Sequence, residues 1–359
     1  MKSKRQNGTV QAADMHDGCN QRARQRSGNP GQHLFFVRLY GTITTLHHRE
    51  TLVSTLNFPM YKILLLLWLF AACNHAPTIE LDNTPHAASA ARLNDAGSII
   101  RERIPVPEGY TRVTEDEGSF GKYLEDFPLE TAGSKIIDYR GAPIPNQDAH
   151  VAVLKMDVGT RDLQQCADAV IRLRAEYFYS KGLFDKIAFH FTSGDLFSWA
   201  QYKNGYRAAV NGNNVSFVQT AAANDSRSSF RNYLDALYNY AGTISVYKET
   251  VARTADAQIS TGNILISPGS PGHVAIIVGK AVSGKGKAVY LLAEGYTPAQ
   301  SVHIINNPWD ETISPWYELS VADEAINTAR YRFNPASIRS WKVILAGSQM
   351  QQRPMPANR

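Results

Sequence analysis

Two periodicities run through the chain, and the change from one to the other locates its core. In Cys166-Ala-Asp-Ala-Val170-Ile171-Arg-Leu173-Arg-Ala-Glu-Tyr177-Phe178, apolar residues recur three and four apart. That spacing predicts a helix with Cys166 in its first turn. Residues 226–240 predict a second helix, with Phe230, Tyr233, Leu234 and Leu237 along one side. A shorter one is expected over 119–127, ended by Pro128, and Asp162 is a candidate cap for the Cys166 helix. Residues 151–158 have strand character. From residue 263 the period drops to that of strands: 263–266, 273–278, 288–293 and 301–305 are short β-branched runs separated by Gly, Pro, Ser and Lys clusters, with 331–333 a further candidate. Helices first and a meander afterwards predict an α+β domain over about 99–345. Its antiparallel sheet is expected to pack on the Cys166 helix.

Ahead of that domain lies a different pattern. Lys62, the apolar run 63–70 and then Ala71-Ala72-Cys73 have the layout of a signal peptide over 60–72. The run is about half of the roughly 20 residues that cross a bilayer. Phe70-Ala-Ala-Cys73 resembles the lipobox of bacterial lipoproteins. The resemblance implies cleavage before Cys73, lipidation of its thiol, and a cell-envelope protein held to a membrane at Cys73, facing the periplasm or the cell exterior. Signal peptides stand at the N-terminus, so Met60 is the expected start and residues 1–59 are left out of the fold as a leader. Residues 73–98 read as a flexible tether and 346–359 as a disordered tail.

Charge changes the choice of partners. The chain has 37 Lys and Arg against 32 Asp and Glu, a net +5 that would ordinarily raise nucleic acid as a ligand. Residues 1–72 hold 9 basic and 3 acidic residues, and the remaining 28 and 29 balance to −1. The globular part is near neutral, and nucleic acid is not an expected partner.

Of three cysteines, Cys19 lies in the leader and Cys73 is the candidate anchor. Cys166 is therefore alone in the folded part, either a reactive thiol or a small buried hydrophobe. Its position decides what chemistry is open to it. A helix N-terminus offers unpaired N–H groups and partial positive charge, which favour the nucleophilic thiolate. A thiolate needs an imidazole beside it, and the imidazole a polar group to orient it. His273 opens a strand after Gly269-Ser-Pro-Gly272, and Glu294 ends the following one, so adjacent strand ends can bring the pair together.

Gln165-Cys166, Gly262-Asn263-Ile264, Gly272-His273-Val274-Ala275 and Ala293-Glu294-Gly295-Tyr296, in that order, resemble the papain-like NlpC-type cell-wall peptidases. The nearer match is to the CHAP amidohydrolases/peptidases among their relatives. That resemblance implies a papain-like α+β fold, Cys166 as nucleophile, His273 as base, Glu294 as orienter and Gln165 in the oxyanion hole. It also implies an amide substrate in peptidoglycan or a cell-wall peptide. The 107 positions from Cys166 to His273 exceed the usual separation, so an insertion is expected around 190–224. Asp162-Leu-Gln-Gln-Cys-Ala-Asp-Ala169, Arg172-Leu-Arg-Ala-Glu-Tyr177 and Ser314-Pro-Trp-Tyr317 resemble a family of bacterial lipoproteins that carries only a domain-of-unknown-function label.

Other residues carry less. Trp199, Tyr206 and Arg207 are candidates to line a groove for a sugar or peptide. His190 and His303 read as structural histidines. With no His-x-x-x-His or paired-Cys spacing and no phosphate-loop spacing at Gly284-Lys-Gly-Lys287, neither metal nor cofactor is expected. Three functions fit: a cysteine hydrolase, a catalytically silent binding or scaffold lipoprotein, and a thiol acyltransferase. An accessible thiol beside His273 favours the first, a capped thiol the second and an apolar funnel the third. For the anchor, Cys73→Ser is expected to leave the precursor unprocessed or free of the membrane fraction. Fractionation with palmitate labelling checks this, and label retained by the variant contradicts it.

Overall fold

The computed structural model describes residues 92–212 and 214–342. The expected leader (1–59), the expected signal peptide (60–72), Cys73, most of the expected tether and the expected tail (346–359) lie outside the described residues. Helix α1 (Ile100–Arg103) and strand β1 (Tyr110–Arg112) lead to α2 (Phe120–Glu125) and β2 (His150–Val153), and then to the long helix α3 (Cys166–Ser180). A block of small elements follows: β3 (Ala188–His190), β4 (Leu196–Ser198), α4 (Trp199–Lys203), β5 (Tyr206–Asn211) and β6 (Asn214–Gln219). Next come α5 (Arg227–Tyr238), α6 (Thr243–Lys248) and β7 (Thr250–Ala252). The chain then runs through β8 (Ile264–Ser267), β9 (His273–Ser283), β10 (Ala288–Glu294), β11 (His303–Ile305), β12 (Ile326–Asn327), β13 (Arg332–Phe333) and β14 (Ile338–Trp341).

Eight strands form one antiparallel sheet in the order β2-β11-β10-β9-β8-β14-β7, with β1 paired to the far half of β9. The consecutive β8–β11 are the meander that the apolar runs predict. The protein is α+β.

Strand β9 is long and apolar because it is covered on both faces. Val274, Ile276 and Val278 join Val170, Leu173, Phe230 and Leu234 from α3 and α5 in one core. Ala275 and Ile277 point the other way, into a second core with Tyr290, Leu292, Tyr317, Phe333 and Ile338. Alternation along the strand thus sorts its side chains between two layers. Each fully buried aliphatic contributes about 1.5–3 kcal/mol. No helix among the described residues is long and apolar enough to cross a membrane.

Several expectations need correction. Two sheet strands, β1 and β2, precede α3, so helices do not simply come first. The run from 151 pairs only as far as Val153, because Leu154 turns to bridge Leu129. Asp162 does not cap α3. Its carboxylate accepts from Gln165 Nε2 (3.1 Å) and from the Ala299 N–H (2.7 Å), tying the approach to α3 to the segment after β10. Gln165 is the N-cap residue, and Asp168, one turn in, accepts its backbone N–H at 3.2 Å. Ser119 and Ser226 cap α2 and α5 through their hydroxyls, as short polar side chains at these positions do. The extra length between Cys166 and His273 is taken up by β3 to α6, including the exposed β5–β6 ribbon.

Ile276 sits at the centre of β9 with no exposed surface. Ile276→Ala is expected to cost about 2–5 kcal/mol, measured by urea unfolding. A loss below about 1 kcal/mol, the level of an ordinary surface substitution, contradicts the packing described.

Candidate functional site

Register on three strands builds one polar row in an apolar layer. Ala293 pairs with Ile276, which sets Glu294 on the same face as His273, near the start of β9. On its other side Glu294 pairs directly with His303 of β11. Side chains in such cross-strand positions meet. His273 Nε2 lies 2.6 Å from Glu294 Oε2. The other carboxylate oxygen, Oε1, accepts from Arg330 Nε at 2.9 Å with Nη2 in ion-pair contact at 2.7 Å, while His303 Nε2 stands farther off at 3.5 Å.

The thiol reaches this row from the helix. Cys166 is the first residue of α3 and stands near enough to the His273 ring for the two to influence each other's charge. Nε2 is taken by Glu294, which leaves Nδ1 as the ring nitrogen without a bonded partner. Two close backbone approaches allow the meeting. Gly295, just past β10, abuts the first turn of α3: a Cβ there would stand 3.0 Å from Ala169 Cβ and 3.1 Å from Gln165 O. Gly272, just before β9, is wrapped by the turn ahead of it, where a Cβ would meet Thr243 Oγ1 at 2.4 Å and Gly269 O at 2.7 Å. Thr243 Oγ1 both donates to Gly269 O (3.1 Å) and accepts its N–H (3.2 Å), which pins that turn.

The electrostatics follow from burial and partners. Cys166 is 6% exposed, His273 3% and Glu294 1%. Burial pulls His273 down, but hydrogen bonds to Cys166 and Glu294 and their charges more than offset it, so the ring is raised to about 9 and carries a proton at neutral pH. Burial pushes Glu294 up, yet the hydrogen bond and charge of His273 hold it well below the usual carboxylate range. His303 is lowered by burial and stays neutral. Its Nδ1 can only donate to the Ser301 carbonyl, at 2.9 Å, and its Nε2 can only accept from Arg330 Nη2, at 2.7 Å. Asp168, behind the helix start, is pushed up by burial.

Half-buried tyrosines flank the imidazole. Tyr296 and Tyr331 have ring centroids 5.0 and 4.8 Å from His273, and Arg330 lies over Tyr296 at 4.2 Å. Gln165 is half-buried beside Cys166. Its Nε2 donates to Asp162 and its Oε1 accepts from Thr297 Oγ1 at 3.2 Å, leaving one amide N–H for another partner.

A family model described as a domain of unknown function, DUF4846, matches residues 100–340. The chain belongs to the DUF4846 family. The match takes in every element from α1 to β13, and with them Cys166, His273, Glu294, His303 and Arg330. Comparison with curated proteins and with solved structures gives no match.

The predicted groove does not form in this DUF4846 domain. Trp199 is 1% exposed and packs against Tyr202, Phe230 and Tyr233, so it is core. Arg207 stacks on Tyr202 at 3.7 Å and donates to the carbonyls of Tyr202 and Tyr206, while Tyr206 remains exposed. His190 pairs with Glu249 at 3.0 Å. A cleft of about 520 Å³ between α2, residues 155–157 and the middle of α3 is lined by Lys122, Tyr123, Met156, Arg172, Glu176 and Arg227 among others, and by none of Cys166, His273 and Glu294. Among the described residues no group of His, Cys, Asp and Glu has the makings of a metal site.

Sequence reading missed Arg330, which sits in a turn without periodicity, and took His303 for a structural residue. A histidine within an apolar strand beside the Glu294 strand was the available signal.

Gly295→Val is expected to force β10 off α3, costing about 1–3 kcal/mol as overpacking does, and to slow alkylation of Cys166 by iodoacetamide. Wild-type stability and reactivity in this variant contradict the close approach.

Proposed function

We propose that this DUF4846 domain is the globular part of an exported lipoprotein and a cysteine-dependent hydrolase of amide bonds, with a papain-like Cys166-His273-Glu294 triad. One observation carries the reading: a thiol at a helix N-terminus stands beside a buried imidazole whose Nε2 meets a buried carboxylate. Inert buried cysteines have no need of such a partner.

The geometry supports a two-step reaction. Thiolate Cys166 attacks the amide carbonyl carbon, a C–S bond forms, and the oxygen becomes an oxyanion. First-turn N–H groups of α3 and the free N–H of the Gln165 amide are the donors for it. The C–N bond then breaks as protonated His273 gives its Nδ1 proton to the leaving amine, and a thioester remains on Cys166. Water attacks the thioester, neutral His273 takes its proton, the C–S bond breaks and a carboxylate product leaves. Glu294 holds the ring's tautomer throughout. The substrate class follows from place and chemistry: a cell-wall peptide or peptidoglycan, reached from a lipid anchor at Cys73.

Burial of Cys166 favours a second reading, a binding or scaffold lipoprotein on the same framework. Hydrolysis requires substrate to displace Tyr296 and Tyr331 from the ring, whereas a silent site keeps them closed.

Cleavage of peptidoglycan fragments is expected to be abolished in Cys166→Ala and reduced about 10²–10⁴-fold in His273→Ala. Activity should fall as pH rises through about 9, where His273 loses the proton it gives the leaving group. Glu294 raises His273, so Glu294→Gln should move this alkaline limb to lower pH. Undiminished cleavage by Cys166→Ala overturns the mechanism. Cleavage by no form of the protein leaves the binding reading.

A further inference from the structure

The proposed chemistry sets a charge problem in the site. With Cys166 ionised, the row holds two anions, thiolate and Glu294 carboxylate, around the single cation of His273. All three are at most 6% exposed, and an uncompensated charge in such surroundings is costly. Proton uptake would relieve it, and would quench the nucleophile or the orienter.

Arg330 supplies the missing positive charge. It enters from the turn between β12 and β13, its side chain is 9% exposed, and it donates from Nε to Glu294 Oε1 with Nη2 in ion-pair contact with the same oxygen. Its grip leaves Oε2 for His273, so it also aims the carboxylate. His303 holds the guanidinium in turn, and it can do so only when neutral, because the Nε2 that accepts from Arg330 must be free of hydrogen. The Ser301 carbonyl fixes that tautomer through Nδ1. Around the row stand Cys166 from α3, Glu294 from β10, His303 from β11, Tyr296 after β10, and Arg330 and Tyr331 from the segment leading into β13. We infer that Arg330 is the counter-charge that lets Cys166 and Glu294 be ionised together around His273, with His303 as its neutral anchor. Both are positioning residues, and the inference rests on the hydrolase reading above.

The test needs no substrate. The full chain is alkylated with iodoacetamide across pH 5–10, and modification at Cys166 is followed by peptide mass. Arg330→Met should move the acid limb to higher pH by about one unit, a roughly ten-fold loss of rate on that limb. Arg330→Lys keeps the charge and should stay near wild type. In Arg330→Met/Glu294→Gln one anion and one cation remain, and the limb should return toward wild type. His303→Phe should shift it in the same direction as Arg330→Met, by about three-fold in rate, as loss of one hydrogen bond does. If Arg330→Met fails to fold, the double variant and His303→Phe carry the test. A profile of Arg330→Met that superimposes on wild type, a double variant that is not restored, or an unshifted His303→Phe overturns the inference. A wild-type Cys166 that resists alkylation in the folded protein at every pH overturns instead the hydrolase reading beneath it.

Discussion

A buried carboxylate with both oxygens engaged is the constraint on which the rest of the site depends. Glu294 is 1% exposed and would be neutral in an apolar layer without partners. His273 on one oxygen and Arg330 on the other make its charge tolerable. Those partners come from separate parts of the chain, the strand before it and a turn some 36 residues after it. The second core exists around this row: Phe333 and Tyr331 close over His273, while Tyr317, Ile326 and Ile338 fill the rest of the layer. Removing one partner of such a group leaves an unpaired buried charge, the costliest way to perturb it.

Bringing a helix start to that row is a backbone problem. The proposed reaction asks Cys166 to lie where the helix's unpaired N–H groups can face a substrate carbonyl, which leaves no room for a side chain between α3 and the end of β10. Gly295 provides the contact, and Asp162 ties Gln165 to Ala299 across the same seam. At the other strand end, Gly272 and Thr243 hold the turn that delivers His273. Tyr296 and Tyr331 then cover the ring. The same closeness that keeps water out also hides the thiol, which is why accessibility in solution separates a working enzyme from a silent binder.

Much of this was legible in residue order, and the limits have physical causes. The helix beginning at Cys166 and the four strands from β8 to β11 announce themselves because each buries a face with its own period. His273 and Glu294 were legible as strand-end residues whose neighbours in sequence are glycines. Strand β7 and strand β14 were not, since their three and four residues borrow stability from the sheet they join and show no pattern of their own. Trp199 misled because an aromatic near polar residues looks alike whether it lines a groove or fills a core. Arg330 was invisible: its role comes from a turn folded over the sheet, and local spacing does not record that. Asp162 had the composition of a cap and was drawn away by the N–H of Ala299, a partner 137 positions distant.

The proposed hydrolysis requires a covalent intermediate at one sulfur, Cys166. Intact-mass spectrometry of the chain, quenched in acid while it turns over peptidoglycan fragments, is the most direct measurement. A thioester on Cys166 is predicted, with a mass increment equal to the acyl half of the cleaved fragment and absent from Cys166→Ala. Fragment cleavage with Cys166 unmodified at every quench time, and equally by Cys166→Ala, would contradict it.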